Sequence, residues 1–235
     1  MKYFELRHAF KTPGGVHIPS LNGKTVKGYE TFFNTGKCTI HTFYDKEYEF
    51  DYLTPEEQGE IQDEPRVIAD YHMWIGEQPR GGFRPISKKF KEILEKHKLS
   101  DHRFYKAKVL FQGKFYPYFV WRILDEKYEE YIDFDKTLYN NPDSWRNQAH
   151  DELVVKKFKS YKEMEDYSDT NWDYTWNYER LVLKPNLRTL DYLYIYRLGS
   201  GDIVSERLKQ AIESAALTGI RFNPLPIPIE FSDEV

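Results

Sequence analysis

The chain has 235 residues, with 34 Lys plus Arg against 38 Asp plus Glu and a formal net charge of -4, which excludes a general polyanion binder because such surfaces need a cationic surplus. Cys38 is the only cysteine, so an intrachain disulfide and a cysteine-based zinc site are excluded. Mean hydropathy is low at -0.74, yet aromatic residues make up 17%, a combination that disordered chains lack, so the chain is expected to fold around a sizeable core.

The opening residues, MKYFEL, alternate apolar and polar side chains and predict a strand, with no signal-peptide core; a cytoplasmic location is expected. No stretch reaches the roughly 20 apolar residues that span a bilayer, so no membrane association is expected. Residues 11–37 are rich in Gly, Pro and Asn and predict loops, and residues 38–44 predict a strand. Residues 45–64 hold nine acids against Lys46 alone, including Asp45, Glu47, Glu49, Asp51, Glu56, Glu57 and Glu60. Thr54 followed by Pro55 and two Glu predicts a helix start, with Thr54 as N-cap. Residues 66–76 predict a second strand.

From Arg84 to Lys114 the sign reverses, with ten basic residues against three acidic ones. Strands are predicted at 104–111 and 114–124, joined by a turn at Gln112 and Gly113, and again at 128–134. Residues 139–150 predict a loop, 160–167 a short helix, and 153–158, 179–184 and 190–198 further strands. The pattern is α+β, a mainly antiparallel sheet with a few packed helices. The expected organisation is an N-terminal, acidic lobe over 1–80 and an α+β region over 81–235, packed as one unit.

Two segments align without a gap at an offset of 118, residues 86–104 with residues 204–222. Ser87 matches Ser205, Lys91 matches Lys209, Glu95 matches Glu213, Leu99 matches Leu217, Arg103 matches Arg221 and Phe104 matches Phe222. Each serine is placed as an N-cap before apolar residues at helical spacing, and each helix runs through a polar turn into a strand. Two related helix-turn-strand units are expected.

The C-terminal run VSERLKQAIESAALTGIRFNPL resembles the closing motif of a bacterial polymorphic-toxin immunity family, immunity protein family eleven. The matching positions are Ser205, Arg207, Leu208, Lys209, Leu217, Thr218, Gly219, Phe222 and Pro224. Residues 86–94 and 118–137 are similar to that family's middle section, with Lys136-Thr137 where the family pattern has Lys-Ser. The resemblance covers residues 80–225. It implies a cytoplasmic protein that binds and neutralises a cognate protein toxin encoded beside it, without catalysis and without a cofactor.

The residues offer other readings. Asp133 and Asp135 lie two apart, and on a strand their carboxylates share a side, as a metal-dependent hydrolase or nuclease would require. A solvated strand end has the same spacing. The basic segment 84–114 offers a nucleic-acid-binding face. The seven histidines, His8, His17, His41, His72, His97, His102 and His150, show no metal-ligand spacing, and no phosphate-loop or nucleophile-elbow motif occurs. In residues 167–179 the run Trp172, Asp173, Tyr174 and Trp176 is either core or an aromatic-acidic interface. Together with the acidic run it forms the candidate toxin-binding set, and a homo-oligomer is left open.

Overall fold

The computed structural model describes residues 2–22, 49–55, 65–75, 83–123, 128–140, 155–170, 176–195, 198 and 201–233. The predicted strand at 38–44 lies outside these residues. The N-terminal strand β1 (Tyr3–His8) is followed by three two-residue strands, β2 (Leu21–Asn22), β3 (Thr54–Pro55) and β4 (Trp74–Ile75), which form one small sheet in the order β3-β2-β4. Next come β5 (Phe83–Ser87), helix α1 (Lys88–Leu94), and the long strands β6 (His102–Phe111) and β7 (Lys114–Ile123), in a sheet of order β5-β7-β6.

A single helical turn, α2 (Tyr128–Tyr131), then leads through β8 (Leu138–Asn140), β9 (Val155–Lys156) and α3 (Tyr161–Thr170) to β10 (Asn177–Leu183). The last elements are β11 (Tyr192–Tyr194), β12 (Asp202–Ser205), α4 (Glu206–Ser214), β13 (Ile220–Pro224) and β14 (Ile229–Phe231). They build two four-stranded sheets, β11-β12-β1-β13 and β14-β10-β8-β9. Pairing is antiparallel except at β10–β14 and β2–β4. The class is α+β, as the sequence predicts.

Both predicted N-caps are present. The Ser87 hydroxyl accepts from the Phe90 amide and the Ser205 hydroxyl from the Leu208 amide, each at 3.2 Å. A cap of this kind is worth about 1 kcal/mol. Each helix buries one stripe, Phe90 and Leu94 on α1, Leu208 and Ile212 on α4. Together with Leu6, Tyr71, Ile86, Trp121, Ile123, Tyr192 and Val204, these stripes form one core between the two helices and two sheets. A second core under the small sheet gathers Leu21, Phe50, Trp74, Phe83 and Tyr105, and a third gathers Tyr139, Phe158, Trp176, Leu181 and Leu193.

β1, from the first 80 residues, lies between β12 and β13 inside the C-terminal sheet, with Phe4 opposite Val204 and Leu6 opposite Phe222. The β6–β7 turn is the two-residue type the sequence predicts: Phe111 pairs with Lys114, and Gln112 and Gly113 both take positive φ, 49° and 73°. That geometry matches the twist of a hairpin.

Two local predictions fail, and a third falls on residues outside those described. Thr54 pairs with Asn22 in β3, next to residues 50–53, which are tied to β6; the helix expected to follow it falls on residues 56–64, outside the described residues. The Phe50 and Leu53 amides donate to the carbonyls of Lys106 and Lys108 at 2.9 and 2.8 Å, and Leu53 is fully buried. Residues 128–131 turn as a helix where a strand is expected, and only Ile132 bridges to Leu183. Of the described residues 66–75, only Trp74–Ile75 forms a strand; Arg66 and Tyr71 make isolated bridges.

Candidate interaction surface

The residues that carry the family resemblance are fastened to the interior or to one another. Asp191 is fully buried, and its carboxylate collects four hydrogen bonds. Oδ1 accepts from Ser205 Oγ at 2.7 Å and Arg207 Nε at 2.9 Å. Oδ2 accepts from Arg207 Nη2 at 2.6 Å and the Lys98 amide at 3.0 Å. Burial alone would raise the Asp191 pKa; the bonds from Arg207, Ser205 and Lys98 outweigh it and hold the carboxyl below its usual value. Asp191 thus ties the start of α4 to the turn after α1.

Asp70 does the reciprocal job. It accepts from Ser87 Oγ at 2.6 Å, and from the amide and hydroxyl of Thr218 at 2.9 and 3.0 Å. Gly219 has φ +80°, and a Cβ there would sit 2.2 Å from the Tyr71 carbonyl oxygen, so glycine is required for this approach. Leu208 is core, Leu217 packs against the same core, and Phe222 lies 5.5 Å beneath the Lys209 ammonium. The motif is therefore architectural: each residue holds a helix to its neighbouring turn.

The basic segment is partly neutralised. Arg84 is buried in a bidentate pair with Asp202, at 3.0 and 2.7 Å. Lys88 pairs with Glu92 and Lys91 with Glu95. The predicted acidic set divides. Glu49 and Asp51 are exposed, whereas Asp45, Glu47, Glu56, Glu57 and Glu60 lie outside the described residues. In the aromatic run, Trp172, Asp173 and Tyr174 also lie outside them. Trp176 is fully buried against Phe158 and Tyr167, at ring separations of 5.0 and 5.6 Å, so it is core and not part of a docking face.

An exposed aromatic that sequence reasoning missed stands beside the acids. Phe115, two residues past the hairpin turn, is 59% exposed, and Tyr52 meets it edge-on at 5.7 Å. Glu49 and Asp51 flank Phe50 on the segment laid against β6, so inward Phe50 and Leu53 leave the acids facing water. Phe115 on the hairpin and Tyr52 on the neighbouring segment thus form an aromatic pair, with exposed Asp51 next to Tyr52 and exposed Lys106, Lys108 and Lys114 on the hairpin strands. The clue in the sequence was Phe115, separated from the Gln-Gly turn by Lys114 alone, at the end of a strand.

Asp133 and Asp135 do not share a strand face. They sit in the turn after Ile132, where the Asp133 amide donates to Val182 O at 2.9 Å and Lys136 lies 3.7 Å from the Asp133 carboxylate. An open cavity of about 540 Å³ is lined by both, with Lys159, Lys184 and Asp233. Among the described residues, no three His, Cys, Asp or Glu side chains converge as a metal site. Among them, too, no helix is long and apolar enough to cross a membrane. His72 is buried with both ring nitrogens engaged, Nδ1 at 2.7 Å from Pro19 O and Nε2 accepting from the Ala69 amide at 2.9 Å, which fixes it neutral. Its pKa is lowered to about 4, chiefly by burial.

Comparison with protein-family models and with curated proteins finds no match to this chain.

Proposed function

We propose that this chain is a non-catalytic binding protein of the immunity type, which neutralises a cognate protein toxin in the cytoplasm by stoichiometric binding. The observation that carries the reading is the exposed Phe115 ring packed on half-buried Tyr52, with the exposed acid Asp51 next to Tyr52 in the chain. Aromatic anchors with a polar border are the usual energetic centre of a protein interface. Acidic neighbours favour a basic partner, such as a toxin that acts on nucleic acid, by steering its approach. The motif resemblance adds support, since its polar residues hold the architecture together and perform no chemistry of their own.

The test is co-expression with the product of the adjacent gene, followed by size exclusion and growth rescue. A stable complex with rescue is expected, weakened at least tenfold by Phe115→Ala together with Asp51→Lys. Absence of both complex and rescue refutes the reading.

The cavity lined by Asp133 and Asp135 supports a second reading, a hydrolase. It predicts that alanine at either Asp abolishes an activity while leaving Tm unchanged. An activity that survives both substitutions removes it.

A further inference from the structure

Laid against itself, the fold repeats beyond the two helices. β5, α1 and β6 match β12, α4 and β13 at the offset of 118, and each pair of strands encloses a middle strand: β7 in the first sheet, β1 in the second. Register fixes how the middle strands correspond. Ser87 pairs with Tyr118, and Ser205 with Tyr3. Phe104 faces Trp121, and Phe222 faces Leu6. Tyr118–Ile123, YFVWRI, therefore occupies the place of Tyr3–His8, YFELRH, with Tyr, Phe and Arg shared.

Side-chain contacts repeat with the backbone. The Tyr118 hydroxyl donates to Ala69 O and the Tyr3 hydroxyl to Leu190 O, and these carbonyls directly precede Asp70-Tyr71 and Asp191-Tyr192. The Ser87 amide donates to Asp70 O and the Ser205 amide to Asp191 O, both at 2.8 Å. Lys91 lies over Phe104 and Phe119 at 5.3 and 5.1 Å, and Lys209 over Phe222 and Phe4 at 5.5 and 5.1 Å. Arg84 and Asp202 occupy equivalent positions and pair with each other, as residues beside a two-fold axis do.

In chain order each half thus reads leading strand, Asp-Tyr, strand, capped helix, strand. Each leading strand, however, lies in the sheet of the other half. We propose that the chain is a tandem duplication whose halves have exchanged leading strands, and that the same exchange closes between two chains, making a second copy of this protein its partner. The hinge is the Gln112–Gly113 turn, the only covalent link between residues 2–111 and 114–233. Two chains opened there keep every contact of the closed form except the turn, with half one of each chain packed on half two of the other. What holds the exchange within one chain is the high effective concentration that a two-residue turn confers and the ease with which Gly113 takes positive φ. Shortening a hinge is the established route to such exchange.

The test deletes Gln112 and Gly113, so that β6 cannot fold back on β7. The variant should run at twice 28.2 kDa by light scattering, with the circular dichroism of the parent. A second experiment keeps the hinge intact and refolds Arg84→Asp with Asp202→Arg. Each alone places like charges together in the buried pair. A reciprocal dimer restores both opposite-charge pairs, so the mixture should give a dimer with a higher Tm than either variant. A deletion variant that stays monomeric with the parent's Tm overturns the proposal. So does a mixture no more stable than its components, and this arm decides the matter if the deletion variant does not fold.

Discussion

Asp191 and Asp70 perform the same task with unequal means, and alanine at each should separate the two by size. Asp191→Ala removes four hydrogen bonds, two of them from a guanidinium, at a fully buried position. Breaking a buried charge pair costs about 3–5 kcal/mol. The Arg207 side chain is 59% exposed, so water takes over its charge and the lower end applies, about 3 kcal/mol. Asp70 lies nearer the surface and has no arginine; Lys89 stands where α4 has Arg207, and its ammonium reaches the Ala215 carbonyl instead. Its bonds to Ser87 and Thr218 are worth about 0.5–1.5 kcal/mol each, partly replaced by water, so Asp70→Ala should cost about 1–2 kcal/mol. For a chain of this length each kcal/mol moves Tm by roughly 2–4 °C, giving a fall of about 6–12 °C for Asp191→Ala and about half that for Asp70→Ala. Urea unfolding followed by tryptophan fluorescence measures both. Equal losses, or a larger loss at Asp70, would refute the assignment of Asp191 as the stronger tie.

Other predictions follow from burial and backbone geometry. Burial lowers the pKa of His72 to about 4 and that of His8 to about 3; His72, His17 and Arg221 repel a proton on His8, and neither His8 ring nitrogen has a partner among the described residues. Between these values and the unfolded pKa near 6.5 the unfolded chain binds more protons, so stability is full above about pH 6.5 and declines as pH falls. At about 1.4 kcal/mol per pKa unit, His72 alone accounts for a loss of about 3 kcal/mol by pH 4; a Tm that is flat from pH 7 to 4.5 would contradict this. Gly219→Ala should cost more than 2 kcal/mol, because its Cβ meets the Tyr71 carbonyl, whereas Gly113→Ala, open on all sides at φ +73°, should cost only about 1 kcal/mol; chemical denaturation compares them. Trp176→Ala should lose about 3–5 kcal/mol through the cavity it leaves, while Phe115→Ala should leave Tm within 2 °C and weaken partner binding.

What the sequence made legible was local. The serine caps, the apolar stripes of α1 and α4, and the Gln112–Gly113 turn each depend on residues a few positions apart, and all three are found where the spacing places them. The kinship of β1 with β7 is equally present in the letters, as YFELRH and YFVWRI, but lies at an offset of 115, three short of the helical repeat, and escapes an ungapped alignment. That Thr54 and Pro55 pair with β2, and Phe50 and Leu53 with β6, was not legible, since those partners lie far along the chain. The acidic run was readable as charge, yet the exposed Phe115 near it was not: nothing nearby in sequence says that Tyr52 leans against it. Trp176 shows the opposite error, an aromatic beside acids that the fold turns inward onto Phe158.

The placement of β1 between β12 and β13 also bears on how the protein is made. Tyr3 emerges from the ribosome about 200 residues ahead of its partner Ser205. At about 5–20 residues per second, that strand waits roughly 10–40 s for a sheet to join. Through that interval YFELRH is an unpaired strand whose Tyr3 and Leu6, buried in the folded chain, stay open to water. β1 therefore finds its place only after strands made long after it, and completion of this sheet waits on translation of β12 and β13.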